Sequence, residues 1–253
     1  MTKSTLETVI KKYYLAGLIE TSIWKVADDT KTLRIGSCTP NYVVSAVVDV
    51  ANFDSLATNE FAVNDTSKLL KMLNVLSDEI KLSTKQTNDK IHGIVMQSGT
   101  IELQYVTADI AVLRASKSVQ VWNKPDPDYE VEIIVDDEFI ETYVASKAAL
   151  PDSEFVVFQM NADNKLEMVF GYIQGGNKSL NTSKIKYSPK TIDGKNTLTG
   201  PLGYNAQYLK EILVANKTIT NSVLKLSAST LANIKFVDAD ITANYHMRGI
   251  NVK

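Results

Sequence analysis

Two histidines, one cysteine and a few paired acids are the residues of this sequence whose types could support catalysis. His92 lies in "KIHGIVMQ" and His246 in "ITANYHMRGI", runs of strand character where an imidazole reads as a core or sheet-surface residue. Cys38 closes "TLRIGSC" and is followed by Thr39 and Pro40 with no histidine nearby. A buried thiol is expected there, not an activated nucleophile. Asp28-Asp29 falls at a turn and Asp136-Asp137 at a helix start, where carboxylates satisfy turn geometry or the positive end of the helix dipole. The glycines of "GYIQGGN" (171–177) follow a strand with no helix behind them, so they read as a hairpin loop and not a phosphate cradle. With no P-loop, zinc-ligand spacing or nucleophile elbow, neither metal nor cofactor is expected, and the chain reads as a non-enzyme.

The chemistry that remains is positive charge on helices. In "TLETVIKKYY" (5–14), Leu6, Val9, Ile10 and Tyr13 form one apolar face, and Thr8, Lys11 and Lys12 lie opposite. In "NDTSKLLKMLNVL" (64–76), Leu69, Met72 and Leu73 form the apolar stripe, and Ser67, Lys68, Lys71 and Asn74 lie opposite. Lysines on an exposed helix face are ordinarily just solvated. Here, however, four lysines are opposed only by Glu7, in a chain with 27 Lys and Arg against 29 Asp and Glu and a net charge of −2. That balance excludes a globally basic nucleic-acid binder but leaves room for a local patch, and phosphate contacts need positive charge without sequence reading.

Two further helices carry the pattern less cleanly. "DEFIETYVASKAAL" (137–150) has Phe139, Tyr143 and Leu150 on its apolar side, and "YNAQYLKEILVANK" (204–217) has Leu209, Ile212 and Leu213. Lys147, Lys210 and Lys217 flank their outer faces, with Glu141 and Glu211 nearer the centres.

These helices punctuate a strand-rich chain that reads as a duplication. After the second helix comes "EIKLS" (79–83), and after the fourth comes "VLKLS" (223–227). Each copy has the order helix, four strands, helix, three or more strands. The first copy holds "TSIWKVA", "TLRIGSC", "YVVSAVVDV" and "EFAVN", and later "KIHGIVMQ" and "IELQYVTA". The second holds "SEFVVFQMN", "KLEMVFGYIQ", "SKIKYSPK" and "TLTGPLGYN", and later "LANIKFVDA" and "ITANYHMRGI". "RASKSVQVWNKPDPDYE" (114–130), stiffened by Pro125 and Pro127, suits an extended connection. The expected organisation is α+β: a domain over 1–113, a linker over 114–128 and a second domain over 129–253. Each domain has two helices packed on antiparallel sheets. Hydrophobic residues at 44% are ample for two cores. No segment approaches the ~20 apolar residues of a membrane span, and the N-terminus reads as an amphipathic helix and not a signal peptide. A single cysteine fits a reducing compartment, so a cytoplasmic protein without a membrane partner is expected.

This order of elements resembles the sliding DNA clamps of the PCNA type. The run from "YNAQYLKEILVANK" to "ITANYHMRGI" resembles the end of such clamps. The stretch from "YLAGLIETSIWKVADDTKTLRIGS" to "EFAVNDTSKLLKMLNVLSDEIKLS" is similar to clamps of T-even-type phages. The resemblance implies a ring of three copies, a homotrimer, with helices around duplex DNA and strands outside, which closes by pairing of edge strands. The edges it implies are the last strand of the first domain, around 101–113 with Tyr105, and "TSKIKYSP" (182–189) with Lys184, Ile185, Lys186 and Tyr187. DNA contacts would come from Lys11, Lys12, Lys68, Lys71, Lys147, Lys210 and Lys217. A partner-peptide pocket would involve Val119, Val121, Trp122, Met247 and Ile250, although Trp122 reads equally well as a residue that packs the linker. The implied partners are double-stranded DNA, a DNA polymerase, an ATP-dependent clamp loader and the chain itself. Two other readings stay open: a clamp-fold processivity factor acting as monomer or dimer, and a β-rich virion protein without a DNA role.

Overall fold

The computed structural model describes residues 2–27, 31–53, 56, 59–88, 90–172, 183–219 and 222–252. The chain divides into two compact units, Met1–Trp122 with Val237–Asn244, and Asn123–Phe236 with Tyr245–Lys253. The turn at Asp28-Asp29 and most of the "GYIQGGN" loop lie outside the described residues.

In the first unit, α1 (Lys3–Tyr14) starts where the Thr2 hydroxyl accepts the Thr5 N–H at 3.1 Å, which satisfies one of the orphan donors of a helix start. Its face of Leu6, Val9, Ile10 and Tyr13 is buried, as the spacing predicts. Leu15 then takes a left-handed conformation (φ 49°) and ends the helix. Four antiparallel strands follow: β1 (Ser22–Ala27), β2 (Thr32–Cys38), β3 (Val44–Val50) and β4 (Glu60–Val63), in the spatial order β3-β2-β1-β4. Trp24 anchors the core, its ring edge-on to Tyr13 at 6.2 Å and 5.6 Å from Phe61. Helix α2 (Thr66–Leu73) is capped by Asp65, whose carboxylate accepts the Lys68 N–H at 2.9 Å. Next come β5 (Lys81–Thr87), β6 (Lys90–Ser98) and β7 (Ile101–Val106), a three-stranded antiparallel sheet with β6 in the middle.

The second unit opens with β8 (Val131–Val135) and α4 (Asp137–Ala149), the latter capped by Asp136 through the Phe139 N–H at 2.9 Å. Before them in the chain, still in the first unit, lies the short α3 (Ile110–Ala115). β9 (Phe155–Met160), β10 (Leu166–Phe170), β11 (Lys186–Tyr187), β13 (Leu202–Asn205) and β17 (Ile250–Asn251) form one sheet in the order β11-β10-β9-β13-β17. All five residues of β10 are buried, so this strand is covered on both faces. β12 (Thr191–Asn196) pairs with β8, β8 with β14 (Ser222–Leu226), and β14 with β15 (Leu231–Asp238). Between β13 and β14 lies α5 (Ala206–Ala215), with Leu209, Ile212 and Leu213 buried. The tip between β15 and β16 (Ile241–Arg248) counts with the first unit, where Ala51 N–H donates to the Asp240 carbonyl at 2.7 Å.

The four helices and most strands follow the hydrophobic periods. The expected last strand of the first half, 101–113, ends earlier, at Val106. Asp109 caps a new helix through the Ala111 N–H at 2.8 Å, and none of the residues of that helix is buried. Strand β8 alternates buried and half-buried residues and adds a strand to the expected order. β12 carries Asp193, Gly194 and Lys195, which look like a turn, and it pairs only through a register shift at a sheet margin. Of the expected strand over 183–190, only Lys186 and Tyr187 join a ladder.

Candidate nucleic-acid interface

Helices α1 and α2 pack together, and the start of α1 is tied to the end of α2. Lys3 N–H donates to Asp78 C=O at 2.7 Å, Ser4 N–H to Asp78 Oδ1 at 3.0 Å, and Lys3 Nζ to Leu76 C=O at 2.9 Å. The exposed surface of this pair carries Ser4, Thr8 and Lys11 from α1, and Lys68 and Lys71 from α2, with Asn74 following. Lys11 keeps 61% of its side chain exposed while lying 3.4 Å from Glu7, an i,i+4 pair worth only tenths of a kcal/mol (about 0.3–0.5). Among the described residues no carboxylate lies within ion-pair distance of Lys68 or Lys71. Asp65 is engaged at the helix start, where the Lys68 N–H and the Ser67 hydroxyl hold its carboxyl below the usual range.

Lys12 departs from the expectation. It is 1% exposed, on the core side of α1, and burial pushes its pKa below the ordinary lysine value, opposed by the charge of Asp238. With two adjacent lysines on a helix of 100° per residue, only one can sit at the centre of the outer face.

The second unit treats its lysines differently. Lys147 is 8% exposed, and its ammonium donates to Pro151 C=O at 2.5 Å just beyond the end of α4. It closes a helix terminus and is not presented to solvent, a second correction to the expected set. Lys210 is half-buried and lies 3.3 Å from Glu211, which also accepts from Gln207 at 2.6 Å. Lys217 is exposed, beyond the capping Asn216. The outer side of α4 offers Asp137, Glu138, Glu141 and Ala145.

The residues expected at a partner pocket also separate. In the first unit, Val119, Val121 and Trp122 are half-buried, and the chain around them lies on the strands of that unit. Val121 packs on Gly36, Gln120 N–H donates to Cys38 Sγ at 3.1 Å, and Trp122 N–H donates to Ser45 Oγ at 2.8 Å. Burial pushes the Cys38 thiol up, as expected of a structural cysteine. Sequence reading missed Gly36, Cys38 and Ser45 as partners of this segment. The available signal was a glycine inside an otherwise uninterrupted strand run. In the second unit, Met247 is a core residue at 2% exposure, which corrects its expected place at a surface pocket. Ile250 is 45% exposed and lines an apolar groove of about 560 Å³ with Leu150, Phe155, Val157 and Val252.

Of the expected edge residues, Tyr105 points inward. It is 2% exposed, and its hydroxyl accepts the Asp65 N–H at 3.1 Å, so it supports the start of α2 and does not face outward. Strand alternation leaves Gln104 and Val106 outside instead. Lys184 is exposed, Ile185 is half-buried, and Lys186 lies 3.7 Å from Glu167. Tyr187 leans on Phe139 with ring centroids 6.1 Å apart. Strands β7 and β11 each stand at the margin of a sheet, with β6 and β10 as their respective neighbours.

The histidines do not meet one another's chemistry. His92 is exposed with Nδ1 2.9 Å from Lys85 C=O, and His246 is buried with Nε2 2.9 Å from Asp126 Oδ1. Among the described residues no group of three or more His, Cys, Asp and Glu is placed to hold a metal ion, and no helix is long and apolar enough to cross a membrane.

No protein-family model matches the sequence. No curated protein matches it either. Solved structures do match. One is A. fulgidus PCNA with the C-terminal region of FEN-1 bound, at a TM-score of 0.71 and 15% identity over 100% of this chain and 98% of that one. PCNA from Entamoeba histolytica matches at a TM-score of 0.70 and 12% identity, covering 98% of this chain and 96% of that one. PCNA from Thermococcus kodakaraensis matches at 0.67 and 13%, covering 99% and 98%. At such identities the likeness speaks for the fold, and the fold of this chain is the PCNA-type sliding-clamp fold.

Proposed function

We propose that the chain is a DNA sliding clamp, a processivity factor of the kind T-even-type phages carry, which encircles duplex DNA as a homotrimer and tethers a replicative polymerase. In this reading it is a scaffold and not an enzyme, it works in the cytoplasm, and an ATP-dependent loader places it on DNA. The observation that carries the proposal is the exposed set Lys11, Lys68 and Lys71 on the paired helices of a clamp fold whose net charge is −2, with Lys11 paired only to Glu7 at the surface and no ion pair to Lys68 or Lys71 among the described residues. A sequence-independent track needs cations at phosphate spacing and no base-reading groups. On the second unit Lys217 is exposed, and Lys12 and Lys147 drop out of the expected set because they are buried. The sheet margins at β7 and β11 supply strands for closure between copies. The peptide of FEN-1 on a PCNA of the same fold supports capture of partner peptides, here by the surface around Trp122 and by the groove around Ile250.

The test is salt-dependent binding to a linear duplex with open ends, onto which a ring can thread without a loader. Affinity should be weak and fall with salt at a slope of about −0.9 per phosphate contact. Changing Lys11 and Lys71 together to Glu should flatten that slope by about two contacts and impair retention. Equal loss from Lys31→Glu, on an exposed residue before β2, would show that only net charge matters and would remove the helix track.

A further inference from the structure

A glycine inside a central strand weakens it unless something needs the space its side chain would fill. Gly36 occupies such a position, on β2 between β1 and β3, opposite Ile23 on one neighbour and Val47 on the other. A Cβ added there would lie 2.6 Å from Val121 Cγ2 but 3.9 Å from Val121 Cβ. One methyl group of Val121 therefore takes the place of the missing side chain, and a residue branched at Cβ has few rotamers into which to withdraw it.

Strand alternation puts Cys38 on the same face of β2, two residues on. Its sulfur accepts the Gln120 N–H at 3.1 Å and its thiol faces Ser118 C=O at 3.6 Å. Across the ladder from Cys38 stands Ser45, whose hydroxyl accepts the Trp122 N–H at 2.8 Å. Just before this stretch, the Tyr42 hydroxyl donates to Lys117 C=O at 3.0 Å. Four of the five residues over 118–122, namely Ser118, Gln120, Val121 and Trp122, are thus held by groups of two adjacent strands, and the one steric key among them is the absent side chain at position 36.

We infer that Gly36, Cys38 and Ser45 form a seat that fixes the register of residues 118–122 on the first unit, and that they are the positioning residues of the partner surface around Trp122. A shift of one residue would bring Gln120 or Trp122 over Gly36, where only a short branched side chain fits. The inference rests on the proposal that this segment captures partner peptides, but its structural half is testable without a partner.

The experiment compares amide hydrogen exchange in the wild-type chain, Gly36→Ala, Val121→Ala and the double variant. Gly36→Ala should speed exchange at Gln120 and Trp122 by about tenfold or more while the Leu33 and Ile35 amides of β2 stay protected. Val121→Ala leaves only its Cβ, at the ordinary contact distance of 3.9 Å, so the double variant should return both amides to within about twofold of wild type. Wild-type exchange in Gly36→Ala, or a double variant as fast as the single, would overturn the seat. If Gly36→Ala exposes β2 as well, the rescue in the double variant decides the matter alone. A peptide of the FEN-1 C-terminal region is then titrated onto the same proteins. Its failure to bind the wild-type chain, or binding unaffected by Trp122→Ala, would sink the partner reading and leave the seat standing. Binding that is lost in Trp122→Ala yet unchanged in Gly36→Ala would sink the positioning role.

Discussion

The helix pair α1/α2 of the first unit and the pair α4/α5 of the second are built alike and used differently. Both bury an apolar stripe, and all four helices start at a side-chain cap: Thr2, Asp65, Asp136 or Asn205. The difference lies in what becomes of the lysines. In the first unit Lys11, Lys68 and Lys71 stand in solvent; Glu7 pairs with Lys11, and the nearby Asp65 is engaged by the cap of α2. In the second, Lys147 closes the end of α4 on Pro151, Lys210 lies against Glu211, and α4 presents acids and alanine outward. A lysine count per helix is therefore a poor guide to a cationic surface. The ammonium group must also be free of a carbonyl or carboxylate that would have to be replaced before a phosphate could bind.

High pH should separate the two units most. A buried tyrosine whose folded-state pKa is raised keeps its proton above pH 10, where the unfolded chain releases it. Stability is then intact below about pH 10 and falls by about 1.4 kcal/mol per pH unit per such group as the pH climbs towards the folded value. In the first unit burial raises Tyr13 to about 12 and also raises Tyr105. In the second it raises Tyr143, Tyr204 and Tyr245. Lys12 acts in the opposite sense in the first unit: its lowered pKa makes stability rise with pH until the unfolded lysine also deprotonates near 10.5. Both tryptophans, Trp24 and Trp122, belong to the first unit, so their emission reports that unit alone. Far-UV circular dichroism, to which both units contribute, should accordingly begin to fall before tryptophan emission changes as the pH passes from 10 to 12. Coincident transitions would break the comparison.

Next in size is the contrast between neighbours on one helix. Lys12→Glu would place a carboxylate in the core near Asp238 and should cost roughly 3–5 kcal/mol, the scale of an uncompensated buried charge. Lys11→Glu should stay within about 0.5 kcal/mol. Urea midpoints measure both, and a mild Lys12→Glu would return that residue to the candidate DNA surface.

The smallest effect distinguishes Lys147 from Lys71. Lys147→Met removes the donor to Pro151 C=O and should destabilise by about 1–2 kcal/mol without changing DNA affinity. Lys71→Met should do the reverse, leaving the urea midpoint in place and lowering the salt slope by about 0.9. If the two variants behave alike, the division of labour between the units is wrong.

Elements whose signal is local are legible in the amino-acid pattern. Leu6, Val9, Ile10 and Tyr13 at helical spacing mark α1, and the β-branched alternation of "YVVSAVVDV" marks β3, because burial of one face requires the period of the element. The same pattern also indicated the order of most elements, α3, β8 and β12 excepted, and the clamp likeness rests on that order. The fate of individual polar and small residues depended instead on long-range packing. Lys11 and Lys12 are indistinguishable in composition, and a rotation of 100° about α1 puts one in solvent and the other in the core. Tyr105 sits on a marginal strand yet turns inward to the cap of α2, since the pleat alternates its side chains between two environments. Gly36 reads as a weak point in a strand until Val121, far along the chain, is seen to fill the space beside it. Contacts of that kind join residues that share no local pattern, so no period in the sequence can announce them.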